Sequence, residues 1–335
     1  MTADRPPESI LITGAAGFIG SALTRRIADA WPQTRLLLLD NLSYAGHLAN
    51  LGDLTQRPTV RFVEGDIVDE ACVTGLMRDV AVCVNVAAQT HVDRSISGPQ
   101  AFTRTNVLGT QTLLEAARQA KIDKFIQIST DEVYGSLPLE AEGVRFDEAS
   151  PIDPSSPYAA SKAAADLLAL SYWKTWGFPV CITRCSNNYG PRQFPEKLIP
   201  LFILNAMAGR PVPVYGDGLN VRDWIHVEDH ASAVMRVILA GQSGRVYNVG
   251  ADNEQPNLAI TRRILALLNQ PESLMMFVAD RPGHDRRYAI ESGRIREELG
   301  WRPRVSFEEG LRQTVDWYRE NSAWLQAVTA DAAAR

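Results

Sequence analysis

Ile10-Leu11-Ile12-Thr13-Gly14-Ala15-Ala16-Gly17-Phe18-Ile19-Gly20 decides the fold. A short apolar run ends in three glycines, and a pattern of helical period follows through Ser21–Ala30. A strand, a glycine turn and a helix in that order leave the helix's first backbone N–H groups without internal partners, aimed past the turn. That end suits a pyrophosphate, and glycine lets the backbone come close to it. A lone triplet is weak evidence, because glycines also pack helices onto strands. Asp40 adds to it, closing the next apolar run, Arg35–Asp40, about twenty residues on. A carboxylate there accepts from ribose hydroxyls and repels a 2′-phosphate, so the chain is expected to bind NAD rather than NADP. The competing reading of Asp40 is a turn former before Asn41. Asp66-Ile67, after the third run, is placed to touch the adenine, and Ala87-Ala88, after the fourth, are small enough to admit the cofactor.

Working outward, Ser9–Thr13, Arg35–Asp40, Val60–Asp66, Val80–Ala87, Lys124–Ser129 and Pro179–Arg184 read as buried strands, too continuously apolar for a half-exposed sheet. Patterns of helical period separate them, notably Gln100–Ala120 and Pro157–Trp176. The alternation predicts an α/β fold, a Rossmann-type doubly wound parallel sheet with right-handed crossovers. After Tyr189 prolines and glycines punctuate shorter elements, as in a smaller C-terminal α/β substrate lobe. The expected division is 1–188 for the nucleotide-binding domain, rejoined by about 223–250 through a strand at Val246–Gly250. The segments 189–222 and 251–330 form the lobe, and 331–335 a frayed tail.

Composition excludes several classes. A chain of 335 residues with a net charge of −5 and no long basic run lacks a nucleic-acid footprint. No stretch has the length and apolarity of a membrane span, and Met1–Ser9 lacks the apolar core of a signal peptide. Cys72, Cys83, Cys181 and Cys185 sit mostly in apolar runs without metal-ligand spacing, so they read as reduced residues of a cytoplasmic protein. The five histidines show no metal spacing either, and no metal is expected.

Thr130-Asp131-Glu132, at the exit of one strand, is followed by Tyr158 and Lys162 four residues apart on one helical face. A free phenol, with a pKa near 10, is a poor base at neutral pH. A neighbouring ammonium and the positive nicotinamide would lower it by favouring phenolate. The pair describes a site that takes hydride from an alcohol.

At these residues the chain resembles the extended short-chain dehydrogenase/reductase family, and more closely its nucleotide-sugar 4,6-dehydratases. Besides Ser129–Gly135 and Pro157–Lys162, the matching segments are Asp40–Gly46, Thr90–Ile96, Asn187–Pro191, Pro195–Pro200, Arg222–Trp224, Glu228–His230 and Arg281–Arg287, in order. No single segment would convince; the ordered set does. Related epimerases carry small residues where this chain has Asp131-Glu132, because an epimerase only removes and returns hydride. The resemblance implies that oxidation at C4 acidifies the C5 proton, that Glu132 removes it, that Asp131 protonates the departing C6 hydroxyl, and that Thr130 hydrogen-bonds the C4 oxygen. It also implies a nucleotide-sugar site lined by Asn187, Glu196, Lys197, Arg222, Asn257, Arg281, His284 and Tyr288, with His91 and Ser95 contacting the sugar. His91 has a competing reading as a satisfied loop histidine, and Arg281 as solvated surface. The substrate implied is a nucleotide-diphosphate hexose, dTDP-glucose foremost, although no residue argues physically for thymine over uracil. A homodimer, paired through the helices Gln100–Ala120 and Pro157–Trp176, is expected. The alternatives are a decarboxylase or 4-epimerase on the same scaffold, or a dinucleotide-sensing protein without catalysis.

Overall fold

The computed structural model describes residues 5–141 and 143–334, of which 331–334 as backbone. Seven parallel strands form the main sheet: β1 (Ser9–Thr13), β2 (Arg35–Asp40), β3 (Val60–Glu64), β4 (Val82–Asn85), β5 (Lys124–Thr130), β6 (Val180–Cys185) and, after β7 (Asn187–Tyr189), β8 (Val212–Tyr215) and β9 (Val221–His226), the late strand β10 (Val246–Val249). Their order across the sheet is β10-β6-β5-β4-β1-β2-β3. Side chains alternate between its faces. Ile10, Ile12, Leu36 and Leu38 join one apolar layer, with Ala231, Val234 and Ile238 of the helix Val227–Ala240. Leu11 and Leu39 join the other, with Leu113 and Leu114. Both faces being covered explains why the strands read as unbroken apolar runs. A buried polar chain crosses the centre: Thr13 donates to Asn85 at 2.7 Å, and Asn85 donates to Gln127 at 2.9 Å.

The smaller lobe holds a three-stranded sheet, β11-β9-β7, with β11 at Glu254–Pro256, and a parallel pair of β8 with β12 (Met275–Val278). Its core gathers Phe202, Ile203, Ile260, Ile264, Phe307 and Leu311. The strand Val221–His226 pairs with β7 and β11 in this lobe. The chain therefore returns to the main sheet only at Val227, with the helix Val227–Ala240 packed on the helix Phe18–Ala30, and not from residue 223 as the sequence suggested.

Three further expectations are corrected. The third and fourth strands end earlier than the apolar runs do, at Glu64 and Asn85. Beyond them Asp66 accepts from the backbone of Val68 at 3.1 Å, turning the chain, and Ala87 receives no ladder partner but donates to the Thr13 hydroxyl at 3.2 Å. The stretch Gln100–Ala120 is not one α-helix: Pro99–Phe102 leads into a π-helical turn, Thr103–Gly109, and then Thr110–Ala120. The buried Asn106 sits in that turn, its side chain joined to both backbone groups of Gln89 and to Ser161, and such bonds compensate the wider winding. The tail expected to fray after Val328 continues as the helix Ser322–Ala334, with Val328 buried; Arg335 lies outside the described residues.

Gly14 has a φ of +63°, and a Cβ there would lie 2.7 Å from the backbone of Ala87. A Cβ on Gly20 would lie 2.1 Å from the carbonyl oxygen of Gly14. The glycine turn is thus clamped between the helix it opens and the end of β4. Gly20→Ala should cost about 1–3 kcal/mol, the usual range for overpacking, and lower the thermal midpoint; an unchanged midpoint would mean that the turn yields.

Candidate active site

The carboxyl ends of the main-sheet strands open into one cleft of about 1480 Å³, running from Asp40 and Asp66 at one end to Tyr158, Glu132 and Asn187 at the other. Ligand clefts of open parallel sheets lie at this edge. Gly14, Gly17, Phe18, Ile19, Gly20, Asp40, Asn41, Asp66, Ile67, Ala87 and Ala88 all line it. Asp40 accepts from the backbone of Ala16 at 2.9 Å and of Leu42 at 2.8 Å, so it holds the glycine turn against its own strand end. Carboxylate oxygens accept more than one bond, which leaves capacity for ribose hydroxyls. Asn41 donates to Asp66 at 3.3 Å, linking the second and third strand ends. These residues fit a dinucleotide.

The reactive end is built by β5 and the helix Pro157–Trp176. Thr130 ends the strand, and its hydroxyl accepts from the backbone of Glu132 at 3.3 Å, starting the short turn Asp131–Tyr134. Ser156 caps the helix by accepting from the backbone of Ala159 at 3.1 Å, with Pro157 in the first turn. Tyr158 and Lys162 thus enter the cleft from one face, beside Thr130, Asp131 and Glu132. Lys162 Nζ donates to the Ile128 carbonyl at 2.6 Å.

Burial pushes the Asp131 carboxyl well above the usual carboxylate range, and Glu132 and Asp223 add to it. Burial also raises Glu132, but Arg222, Lys197 and Arg281 pull it back. Two adjacent carboxyls therefore differ, Asp131 the better proton holder and Glu132 the readier carboxylate. Burial pushes the Tyr158 phenol well above 10, with Glu132, Cys185 and Asp131 adding to the rise. Burial also lowers Lys162, against the pull of Asp166 and Cys185. One buried ammonium does not offset two carboxyls and desolvation, so a phenolate needs a further positive charge.

Of the residues expected to meet the nucleotide sugar, Asn187 and Lys197 line the cleft, Lys197 donating to the Thr90 carbonyl at 3.0 Å. Glu196 lies 3.6 Å from both His91 Nε2 and Arg94. Burial lowers His91 to about 4. Arg222 donates to the Asp285 carbonyl at 2.9 Å and stacks 4.1 Å over the Tyr288 ring, whose hydroxyl donates to the Asp285 carboxylate. Arg281 lies 3.5 Å from Asp93, and His284 is 2.6 Å from Asp280. The buried side-chain oxygen of Asn257 has no hydrogen-bond partner. Ser95 is turned away: fully buried, it donates to the carbonyl of Val92 at 2.6 Å, so contact with a sugar is not supported. Tyr44, Gln193 and Phe194, to which the sequence assigned no individual role, also line the cleft. Tyr44 and Phe194 meet at 5.4 Å between ring centroids, and Arg94 lies 3.9 Å over Tyr44. Three segments distant in sequence make that cluster, and no local pattern announces it. Among the described residues no group of three or more His, Cys, Asp or Glu could hold a metal ion, and all four cysteines are free, Cys72 partly exposed.

Fold and site together define a Rossmann-type dinucleotide-binding scaffold with two carboxyls, Asp131 and Glu132, set beside Tyr158 and Lys162. The family described as GDP-mannose 4,6 dehydratase matches residues 11–314, and the chain belongs to it. A dTDP-glucose 4,6-dehydratase of Streptomyces niveus is 49% identical over 95% of this chain and 94% of its own length. One of Streptomyces antibioticus is 50% identical over 95% and 94%. The crystal structure of DesIV, the dTDP-glucose 4,6-dehydratase of Streptomyces venezuelae, solved with NAD bound, superposes with a TM-score of 0.92 at 48% identity, covering 96% of this chain and 99% of that one.

Burial raises Glu196 to about 7 despite the adjacent Lys197. A carboxyl raised on folding contributes stability below its unfolded value near 4.5, lost as pH rises through the folded value. Glu196→Gln should therefore gain stability relative to wild type between pH 5 and pH 8, roughly the window of that titration. Chemical denaturation at both pH values checks it, and a constant difference would contradict the assignment.

Proposed function

We propose that the protein is an NAD-dependent nucleotide-sugar 4,6-dehydratase that converts dTDP-glucose to the 4-keto-6-deoxy sugar. The observation that carries this reading is the pairing of Asp131 with Glu132, their carboxyls held apart in proton affinity, directly beside Tyr158 and Lys162. Oxidation alone needs only the tyrosine and lysine. Elimination needs an acid and a base.

Gly14, Gly17, Gly20 and Asp40 would hold the cofactor, and Asp66 its adenosine end. When bound, NAD supplies the hydride acceptor and, in its oxidised form, the positive charge that the Tyr158 phenol lacks. Tyr158 then takes the C4 hydroxyl proton while Thr130 donates to the C4 oxygen, and Lys162 favours the phenolate. Glu132 removes the C5 proton, made acidic by the new ketone. Asp131, proposed to be protonated in its buried position, gives its proton to the leaving C6 hydroxyl, and water departs; the hydride taken from C4 then returns to C6 and a proton returns to C5 through Glu132, which leaves the 4-keto-6-deoxy sugar and the cofactor oxidised again. Lys197, Arg222 and Arg281 surround Glu132 with positive charge suited to a diphosphate, and that charge counters the rise that burial imposes on its carboxyl. The 49% identical relative from Streptomyces niveus, a dTDP-glucose 4,6-dehydratase, supports the choice of dTDP-glucose.

The acting species is proposed to be a homodimer in the cytoplasm. The two helical stretches expected at the contact carry exposed apolar side chains, Leu108 at 46% and Leu167 at 55% exposure, with Trp176 at 54%. Large exposed apolar groups mark contact surfaces. In sedimentation, wild type should run as a dimer at micromolar concentration and Leu108→Asp/Leu167→Asp as a monomer; a monomeric wild type would exclude the dimer.

With C4-deuterated dTDP-glucose in ordinary water, the product should carry deuterium at C6 and solvent hydrogen at C5. Deuterium returned only to C4 would make the protein an epimerase. In heavy water, Glu132→Gln should still oxidise C4 yet stop solvent deuterium entering C5. Asp131→Asn should allow that exchange while slowing water loss by about 10²–10⁴-fold. Mass spectrometry of the sugars reads both, and identical behaviour of the two variants would cancel this division of roles.

A further inference from the structure

Behind the reactive cleft lies an ion pair that the proposed reaction does not use. Asp166 and Arg184 meet at 2.9 Å, with side chains 0% and 3% exposed. Asp166 stands one helical turn beyond Lys162 on the helix that also carries Tyr158, so all three share a face. Arg184 is on β6, paired in register with Ser129 of β5, the residue before Thr130. The guanidinium also lies 4.8 Å over the ring of Tyr134. Tyr134 closes the turn that bears Asp131 and Glu132. Its hydroxyl donates to Asn248 at 2.8 Å, and its ring stacks on Phe146 at 5.2 Å.

One pair therefore touches both halves of the site. Through Asp166 it reaches the helix of the redox residues; through Tyr134 it reaches the turn of the acid and the base. Burying two charges is expensive, and an apolar pair of similar volume usually packs a helix on a strand at least as well. An apolar pair could not place a negative charge beside Lys162, and it could not stack a planar cation on Tyr134.

We propose that Asp166 and Arg184 are positioning residues that set the register between the Tyr158–Lys162 pair and the Asp131–Glu132 pair. This rests on the dehydratase reading above. Facing Lys162 are Asp166 and Tyr158 of its own helix and Cys185 of β6, while Asp131 and Glu132 of the turn face Tyr158. Among these Asp166 is the carboxylate that favours the charged lysine most directly. Burial raises Asp166 itself, and Arg184, Lys162 and Ser129 counter that rise. Without Asp166, Lys162 loses its proton at lower pH, and the alkaline limb of kcat moves down with it.

The test replaces the pair by apolar residues, Asp166→Leu/Arg184→Met, in the full-length enzyme. The variant should melt within a few degrees of wild type or above it and should retain NAD. Its kcat should fall about 10²-fold, with KM changed less than about threefold. The alkaline limb should drop by about one pH unit or more. Wild-type kcat and pH profile in this variant would overturn the proposal. Should the double variant not fold, Arg184→Lys decides: it keeps the charge and loses the flat stacking on Tyr134. It should slow water loss more than C4 oxidation, seen as transient NADH accumulating in its near-ultraviolet absorbance in a single turnover. Equal slowing of both steps, or none, would overturn it. Asp166→Glu should recover part of the rate lost in Asp166→Asn, and no recovery would also count against positioning. If wild type itself forms no 4-keto-6-deoxy sugar from dTDP-glucose, the proposed function fails; if it does and the variants match it, only this inference fails.

Discussion

The site is governed by the cost of gathering ionisable groups where water is scarce. Asp131, Glu132, Tyr158, Lys162, Asp166 and Arg184 crowd the carboxyl end of β5, and all but Glu132 are buried. Desolvation acts on each charge, so proton positions there depend on neighbours rather than on ordinary solution values. Asp131 has a carboxyl beside it and Asp223 beyond; Glu132 faces three cations. The result is two adjacent carboxyls of unequal proton affinity, Asp131 assigned the stronger hold on its proton and Glu132 the weaker. Neither assignment follows from the residue types, since aspartate in water is the stronger acid of the two.

That inversion marks the boundary of what was legible in the chain. The glycine turn, Asp40 and the Tyr158–Lys162 spacing were legible because each is a local pattern with a backbone consequence. The π-helical turn was not, because its cause, the bonding of Asn106 with Gln89 and Ser161, joins residues far apart in sequence. The strand expected at Val246–Gly250 does return to the main sheet, but the segment expected to rejoin that domain from about residue 223 begins inside the strand Val221–His226, whose partners are β7 and β11, and strand pairing is a tertiary fact. Ser95 sits within a matching segment and still turns inward, because a short helix at Val92–Ser97 lets its hydroxyl bond the preceding turn. The expected lowering of Tyr158 counted the cation four residues away and the nicotinamide charge; the fold brings in the carboxyls of Glu132 and Asp131, which act against both.

The direction of Tyr158 has a consequence for how the reaction is gated. A phenol held protonated by its surroundings is inert as a base until positive charge arrives. Oxidised dinucleotide carries such charge and reduced dinucleotide does not, so the tyrosine would be a base when C4 awaits oxidation and an acid once hydride has left the sugar. In the proposed reaction, proton and hydride would then travel in step.

In the proposed reaction the two carboxyls would add the elimination to that cycle, and their placement suits it. They lie on a turn rather than on the helix that carries the redox pair, so their separation from the sugar is set by β5 and Tyr134, independently of the N-cap that sets Tyr158. A scaffold divided this way can gain or lose dehydration by changes in one short turn while keeping its oxidising end. The contact between the two parts must be kept: Val133 and Tyr134 of the turn pack with Ala163 of the helix, and the buried Arg184, bound to Asp166 on the helix and stacked on Tyr134, joins them through charge.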